Sequence, residues 1–361
     1  MINFLTNSIN CFEHLSYCFD YPFKRLKSRG QLPLDKHELH YSPMTPELDK
    51  DFLRNDWGVI SARGFSVLAM AGRTVRKGLI IGTGIGQDAL GFIEAFGPDQ
   101  LVITDLDQQI ARGAQWNIIR NVNPHFGASD RVIATKDRVI AIESNLFENK
   151  YLRGKKFDII FENLPNLPSS YREASDQPMW GSFCYNEAGS IPPKYVRGLL
   201  ASHYDCLASA KPYLEAGGGI ICNIGARVSP DLILGMFDEL GYTAQVLIFD
   251  FKRQNEMNVN LKAYARWEKI NPGLEFSFYP YEKTLEELAR YQYNKYSGYY
   301  NDTRLSVVSP AIAALELSAG EAYQLYLRDN ANQSGHFYYS IYAEPKTNHH
   351  GKEEREDLSR R

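Results

Sequence analysis

The sequence predicts an α/β protein: a doubly wound, mostly parallel, seven-stranded Rossmann-like sheet with one antiparallel strand. Three observations carry this expectation. The apolar run Leu79-Ile80-Ile81 stops at three glycines spaced by two, Gly82, Gly84 and Gly86, and a helical stretch follows. A second apolar run, Leu101-Val102-Ile103, ends on Thr104-Asp105. Beyond it, short apolar runs alternate with helix-period stretches to about residue 250, the pattern of a parallel sheet covered on both faces.

Residues 1–60 read as an N-terminal helical extension, with Phe4, Leu5, Ile9, Phe12 and Leu15 on one helical face. A helix is expected over about 62–76, turning Phe65, Leu68, Ala69 and Ala71 inwards. This segment is expected to act as a lid, with Tyr41 and Trp57 as lid or core aromatics. Residues 61–268 form the sheet domain. Strands are expected at 79–82, 101–105, near 138–143, and at 157–162, 219–224 and 244–250. Helices are expected at 86–96, 108–120, about 193–214, and 230–240, the last opened by Ser229-Pro230 and stopped by Gly241. Segments 244–250 and 259–266, joined by Lys252 to Glu256, read as a hairpin that supplies the antiparallel strand. Residues 269–345 read as a C-terminal α+β extension. In it Thr284 to Glu287 and Ser318 to Glu321 are capping-box sequences starting helices near 285–294 and 319–328, and a strand is expected near 336–343. Its tyrosines (Tyr279, Tyr281, Tyr291, Tyr293, Tyr296, Tyr299, Tyr300) read as packing or as contact within a homodimer, a substrate cover being the alternative. Residues 346–361 are charged and expected to be disordered.

Composition narrows the function. With 361 residues, 44% apolar and 23% charged, the chain has a globular balance. A net charge of −3 without a long basic stripe argues against a nucleic-acid partner. The five cysteines (11, 18, 184, 206, 222) contain no C-x-x-C pair, which points to free thiols in a reducing cytoplasm. The eight histidines are scattered, so no metal site is expected. Residues 1–30 lack the apolar centre of a secretory signal, and no run is long enough to span a membrane.

The glycine run has a specific use. Glycine lets backbone pass close to a ligand and permits a left-handed turn, and the following helix presents free N–H groups. A dinucleotide fingerprint needs a glycine where this chain has Gln87. The tighter G-x-G-x-G suits a ligand without a pyrophosphate, and S-adenosylmethionine fits. Asp105, ending the second strand, can accept two hydrogen bonds from ribose hydroxyls. A third strand, Phe157-Asp-Ile-Ile-Phe-Glu162, ends on Asn163-Leu164-Pro165-Asn166 at the same edge of the sheet. The Asn163 amide oxygen can accept a substrate N–H and aim the nitrogen lone pair, while Pro165 lacks an N–H and leaves carbonyls there. Glu162 is a candidate to assist departure of a proton, unless its place in the strand turns it away. The loop 168–192 carries Tyr171, Trp180 and Tyr185, candidate substrate contacts in a cover over this edge.

Five segments in this order resemble the class I S-adenosylmethionine-dependent methyltransferases over about residues 60–268. They are Gly82 to Gly86; Thr104-Asp105 with Ala111, Arg112 and Asn117; Glu143 to Phe147; Phe157 to Pro165; and Pro212 to Gly218. Within that superfamily the chain is most similar to the group containing the release-factor glutamine N5-methyltransferases and the amino-methylating nucleic-acid enzymes. The resemblance implies cofactor contacts from Gly82, Thr83, Gly84, Gly86, Asp105, Leu106, Asn145, Leu146 and Asn163. Asn145 would accept from the adenine amino group. It also implies a substrate nitrogen held by Asn163, with Pro165 and Glu162 beside it and Asn166 towards the substrate. The family usually has an acid where this chain has Ile80, and Asn-Pro-Pro-aromatic where Leu164 and Asn166 stand. Without the ring, a flat amide or base has no stacking face. A small polar metabolite is therefore the expected acceptor. The alternatives are a protein or nucleic-acid amino group, and a non-catalytic cofactor-binding scaffold.

Overall fold

The computed structural model describes residues 5–10, 38–41, 57–122, 137–168, 191–290, 310–331 and 333–346. Two short strands, β1 (Leu5–Asn10) and β2 (Glu38–Tyr41), pair antiparallel. Leu5 and Ile9, expected on a helical face, are therefore in a strand. The first helix among the described residues is α1 (Trp57–Met70), which starts earlier than expected and buries Phe65 and Leu68.

The body of the molecule alternates as predicted. In chain order come β3 (Lys77–Ile81), α2 (Gln87–Phe96), β4 (Gln100–Asp105), α3 (Gln108–Val122), β5 (Val139–Glu143) and β6 (Phe157–Glu162). Then follow α4 (Pro193–Arg197), α5 (Ala201–Ala210), β7 (Leu214–Ala226), α6 (Pro230–Glu239), β8 (Tyr242–Arg253) and α7 (Met257–Ile270). The chain continues through β9 (Tyr279–Pro280), α8 (Tyr281–Arg290), α9 (Pro310–Ala313), α10 (Ala319–Arg328) and β10 (Ser334–Pro345). Seven strands lie in the order β5-β4-β3-β6-β7-β10-β8, with β9 paired beside β10. Pairings from β5 to β7 are parallel, and β10 runs antiparallel to both its neighbours. The fold is thus the mostly parallel α/β sheet that the alternation predicts, with one strand reversed.

The reversed strand is not where the hairpin reading put it. Residues 259–266 lie within α7, and the antiparallel strand is β10, from the stretch read as a C-terminal extension. The reason is the period of burial. Asn260, Leu261 and Tyr264 fall on one helical face and pack into the core, a spacing that alternation cannot satisfy. The helix expected over 193–214 is also broken. Leu199 takes a left-handed conformation (φ 59°), and the Leu200 N–H reaches back to the Tyr195 carbonyl, a chain reversal at a helix end. Glycine would suit that conformation at 199, but it stands at 198, where a Cβ would come 2.9 Å from Leu232. In the C-terminal stretch, α8 starts one turn before Thr284, which lies inside the helix and donates its hydroxyl back to the Pro280 carbonyl just ahead of it rather than capping. Ser318 and Glu321 do form the expected capping box of α10.

Two cores flank the sheet. On one face Phe65 packs edge-on against Phe92 and Phe161, at ring distances of 5.2 and 4.8 Å, and ties α1 and α2 to β6. On the other, residues of α5, α6 and α7 cover Ile160, Cys222 and Phe337. Arg63 of α1 pairs with Asp250 of β8 at 2.8 Å and donates to the Tyr338 hydroxyl of β10. Among the described residues, no helix is long and apolar enough to cross a membrane.

Candidate functional site

The register of the sheet assembles the site. Ile81 of β3 pairs with Thr104 of β4 on one side and with Glu162 of β6 on the other. Gly82, Asp105 and Asn163 therefore leave three adjacent strands at one level. The strand order reverses between β3 and β6, and in open α/β sheets ligands bind at such a switch point, beyond the carboxyl ends of the strands.

The glycine turn is left-handed at each of its glycines, with φ of 70° at Gly82, 52° at Gly84 and 92° at Gly86. Its shape is fixed from below: Thr83 N–H donates to the Thr104 carbonyl and Gly86 N–H to the Thr83 carbonyl. The Asn117 amide of α3 donates to the Ile85 carbonyl, giving that residue of the resemblance a physical role. A side chain at Gly84 would meet open space, whereas one at Gly86 would run into Ala114. Gln87 packs its side chain against Gly58 of α1, so the place of a third fingerprint glycine is filled by helix packing. The buried Thr83 hydroxyl has no hydrogen-bond partner among the described residues.

Asp105 is only 4% exposed. Burial pushes its carboxyl up from the ordinary 3.8 to about 6, against the opposing effect of backbone N–H groups of Gly84, Asp107 and Leu106. The Gly84 N–H donates to it at 3.0 Å, so the acid and the glycine turn are one unit. Leu106 beside it is 44% exposed, an apolar surface next to a buried acid. Across the edge, Leu146 is half-buried with φ 46°, held by the Ser144 hydroxyl donating to its carbonyl. Asn145 is exposed, and its amide donates to Glu148.

The loop after β6 departs from expectation in two places. Glu162 does not face the crevice: it is fully buried, takes hydrogen bonds from the Leu164 N–H at 2.9 Å and lies 2.8 Å from Nδ1 of His203 on α5. Its strand face points into the core, so it positions the loop rather than meeting a ligand. The Pro165 carbonyl accepts from the Ser202 hydroxyl, so one of its two lone pairs is already engaged by α5. Leu164 lies over the glycine turn, with its side chain 3.2 Å from where a Cβ of Gly82 would stand. Asn163 is half-exposed, and its amide has no hydrogen bond to a described residue. Tyr171, Trp180 and Tyr185 lie outside the described residues.

Asn166 opens onto residues that sequence reasoning missed. Its Oδ1 accepts from Arg227 at 3.2 Å, its amide donates to the Gly225 carbonyl, and its own carbonyl accepts from the Tyr264 hydroxyl at 2.6 Å. Arg227, one residue past the end of β7, is 6% exposed and also donates to Gln254 and to Nε2 of His336. Its guanidinium stacks over the Tyr264 ring. Lys252, at the end of β8, lies over the Trp57 ring at 4.8 Å, which places the expected lid residue in this cluster. The one available signal was that a fourth mostly apolar run, Ile220 to Ala226, is followed by the charge of Arg227 at the same edge of the sheet. Among the described residues no three His, Cys, Asp or Glu side chains are grouped to hold a metal.

No protein-family model matches the chain, and no curated protein sequence matches it. Solved structures that resemble it include S-adenosylmethionine-dependent methyltransferases. One is the N-methyltransferase NodS from Bradyrhizobium japonicum WM9 in complex with S-adenosyl-L-homocysteine, 11% identical, covering 60% of this chain and 89% of that one, with a TM-score of 0.36. A second, from Thiobacillus denitrificans and in complex with the same molecule, is 15% identical and covers 78% and 91%, with a TM-score of 0.34. The YcgJ protein from Bacillus subtilis is 10% identical and covers 79% and 98%, with a TM-score of 0.39.

Proposed function

We propose that the chain is an S-adenosylmethionine-dependent methyltransferase that methylates nitrogen on a small polar metabolite in the cytoplasm. The observation that supports this most is the union of the left-handed glycine turn with a buried carboxylate, beside open space above Gly84. The residues fit the cofactor. Asp105 would take the ribose hydroxyls, Gly82 to Gly86 would run beneath the methionine and sugar, and Leu106 and Leu146 would flank the adenine. The Thr83 hydroxyl, which has no partner among the described residues, is a further donor within the turn.

When bound, S-adenosylmethionine supplies an electrophilic methyl group with its own leaving group. The chain's task is then positioning and exclusion of water. The Asn163 amide oxygen accepts an N–H of the acceptor and directs the lone pair towards the switch point. Glu162 holds Asn163 in place by accepting the Leu164 N–H and is itself fixed by His203. An amino-methylating subgroup is favoured because an amide at Asn163 recognises N–H. A flat glutamine amide or adenine is disfavoured, since Asn166 offers no ring and is engaged with Arg227.

The test has two stages. Calorimetry should show S-adenosylhomocysteine binding to the full chain and at least about tenfold weaker binding to D105A, two lost hydrogen bonds to a charged group being large on this scale. Labelled S-adenosylmethionine is then incubated with the protein and a fractionated lysate. Label in the small-molecule fraction supports the reading. Label in protein or nucleic acid would move the acceptor to a macromolecule, and tight binding with no label anywhere would make the chain a non-catalytic cofactor-binding protein.

A further inference from the structure

We propose that His203, aided by Ser202 of the same helical turn, is a positioning residue of methyl transfer: it holds the loop from Glu162 to Asn166 so that the Asn163 amide keeps one direction. This role rests on the methyltransferase reading.

The buried face of α5 carries His203, Cys206, Leu207 and Ala210 at helical spacing. Packing alone would place an apolar residue at 203. Instead a fully buried imbidazole stands there, its Nδ1 at 2.8 and 3.0 Å from the two oxygens of Glu162, itself fully buried. A carboxylate has only acceptors, so Nδ1 is the donor. Nε2 is buried and has no partner among the described residues, so the ring bonds to Glu162 and to nothing else described. Replacing such a pair by apolar side chains often leaves stability unchanged, so its use lies in specifying a single arrangement.

What is arranged is the loop after β6. The left-handed residue Leu199 reverses the chain after α4, and α5 starts two residues later with its first turn against the loop. The Glu162 carboxylate that His203 holds accepts the Leu164 N–H at 2.9 Å, and the Ser202 hydroxyl donates to the Pro165 carbonyl at 3.2 Å. On the far side, the Tyr264 hydroxyl of α7 donates to the Asn166 carbonyl at 2.6 Å, and the Asn166 side chain bonds to Arg227 and to the Gly225 carbonyl. Glu162, Leu164, Pro165 and Asn166 are each tied down.

Asn163 is the exception. It is half-exposed, and its side chain has no hydrogen bond to a described residue. With no bond of its own to aim it, it inherits its direction from the backbone on either side. Cys222, opposite Glu162 in the register of β6 and β7, sets its thiol beside the same carboxylate, but a thiol is a weak donor. Without His203 the carboxylate loses its strong side-chain donor and is free to turn, and the Leu164 N–H loses a fixed acceptor. Misplacing a reacting group by about 1 Å costs up to about a hundredfold in rate.

The test uses the full chain, saturating labelled S-adenosylmethionine and, as acceptor, whichever lysate fraction takes label from the wild type. H203L fills most of the volume of the ring but has no donor, whereas H203N sets an amide N–H where Nδ1 stands but leaves a gap. In a dilution series of that fraction, H203L should lower the maximal rate by about a hundredfold and H203N should restore it to within about fivefold of the wild type. The half-saturating dilution and the affinity for S-adenosylhomocysteine should be unchanged in both. A packing role predicts the reverse order, H203L near the wild type and H203N impaired; that result overturns the inference, as does a loss that falls on cofactor affinity or half-saturation. If H203L does not fold, S202A decides: release of the Pro165 carbonyl should lower the maximal rate by about fivefold, and a wild-type rate overturns the inference. Label transfer that the variants leave intact rejects this inference alone. No label from the wild type in any fraction rejects the methyltransferase reading, and the positioning role with it.

Discussion

Asp105 works against the stability of the protein that contains it. Its carboxyl is raised to about 6 by burial, while the unfolded chain titrates it at its ordinary 3.8. Between those values folding takes up a proton, so the contribution of this group to stability falls as pH rises from about 4 to about 6. Above pH 6 the charged form costs about 3 kcal/mol. D105N should therefore raise the unfolding free energy at pH 7 by up to that amount and flatten its dependence between pH 4 and 6, measured by urea denaturation. The same variant should bind S-adenosylhomocysteine more weakly. Asn163 is predicted to act differently: N163A should lower kcat by about a hundredfold with little change in cofactor affinity, a split that steady-state kinetics and calorimetry would resolve. At this scale the sequence was informative where a residue sits next to its motif, as Asp105 and Asn163 do. It was silent about Arg227 and His336, which meet across 109 residues of chain. His336 stands in an alternating apolar run, and only the topology of the sheet brings it to the edge.

Among the elements, those whose periods are unambiguous matched their predicted places to within a residue or two, as α2, β4 and β6 did. The failures have a common origin: local pattern was read without its packing partner. The stretch 259–266 alternates well enough for a strand, but α10 and the core require a helix there. One residue shows how the two helices depend on each other. Glu268 near the end of α7 accepts from the backbone N–H groups of Ala319 and Gly320 at the start of α10, and from that of Phe276. A carboxylate at a helix N-terminus is favourable on both hydrogen-bond and dipole grounds. E268A is expected to cost about 1–2 kcal/mol of stability, with E268Q costing less, by chemical denaturation.

For the whole molecule, the parallel half was legible and the antiparallel insertion was not. Pairing of β10 with β7 and β8 joins residues far apart in sequence, and nothing in the local pattern of 334–345 states which strands will receive it. Removal of residues 331–361 is predicted to abolish cooperative unfolding and to give aggregation, seen by circular dichroism and light scattering, because β7 and β8 would each be left with an open edge. The internal substitution G219A should be milder. A methyl there meets the Tyr342 ring across the β7 and β10 pair, an overpacking of about 1–3 kcal/mol that Y342L should partly relieve.

The interleaved strand also bears on how the molecule is made. During synthesis β8 emerges from the ribosome well before β10, yet its place in the sheet is defined only by β10. The nascent chain must carry two unsatisfied strand edges until almost the last described residue has been added. Slow decoding or a roadblock anywhere between 254 and 333 would lengthen that exposure, making this interval the one most in need of a chaperone.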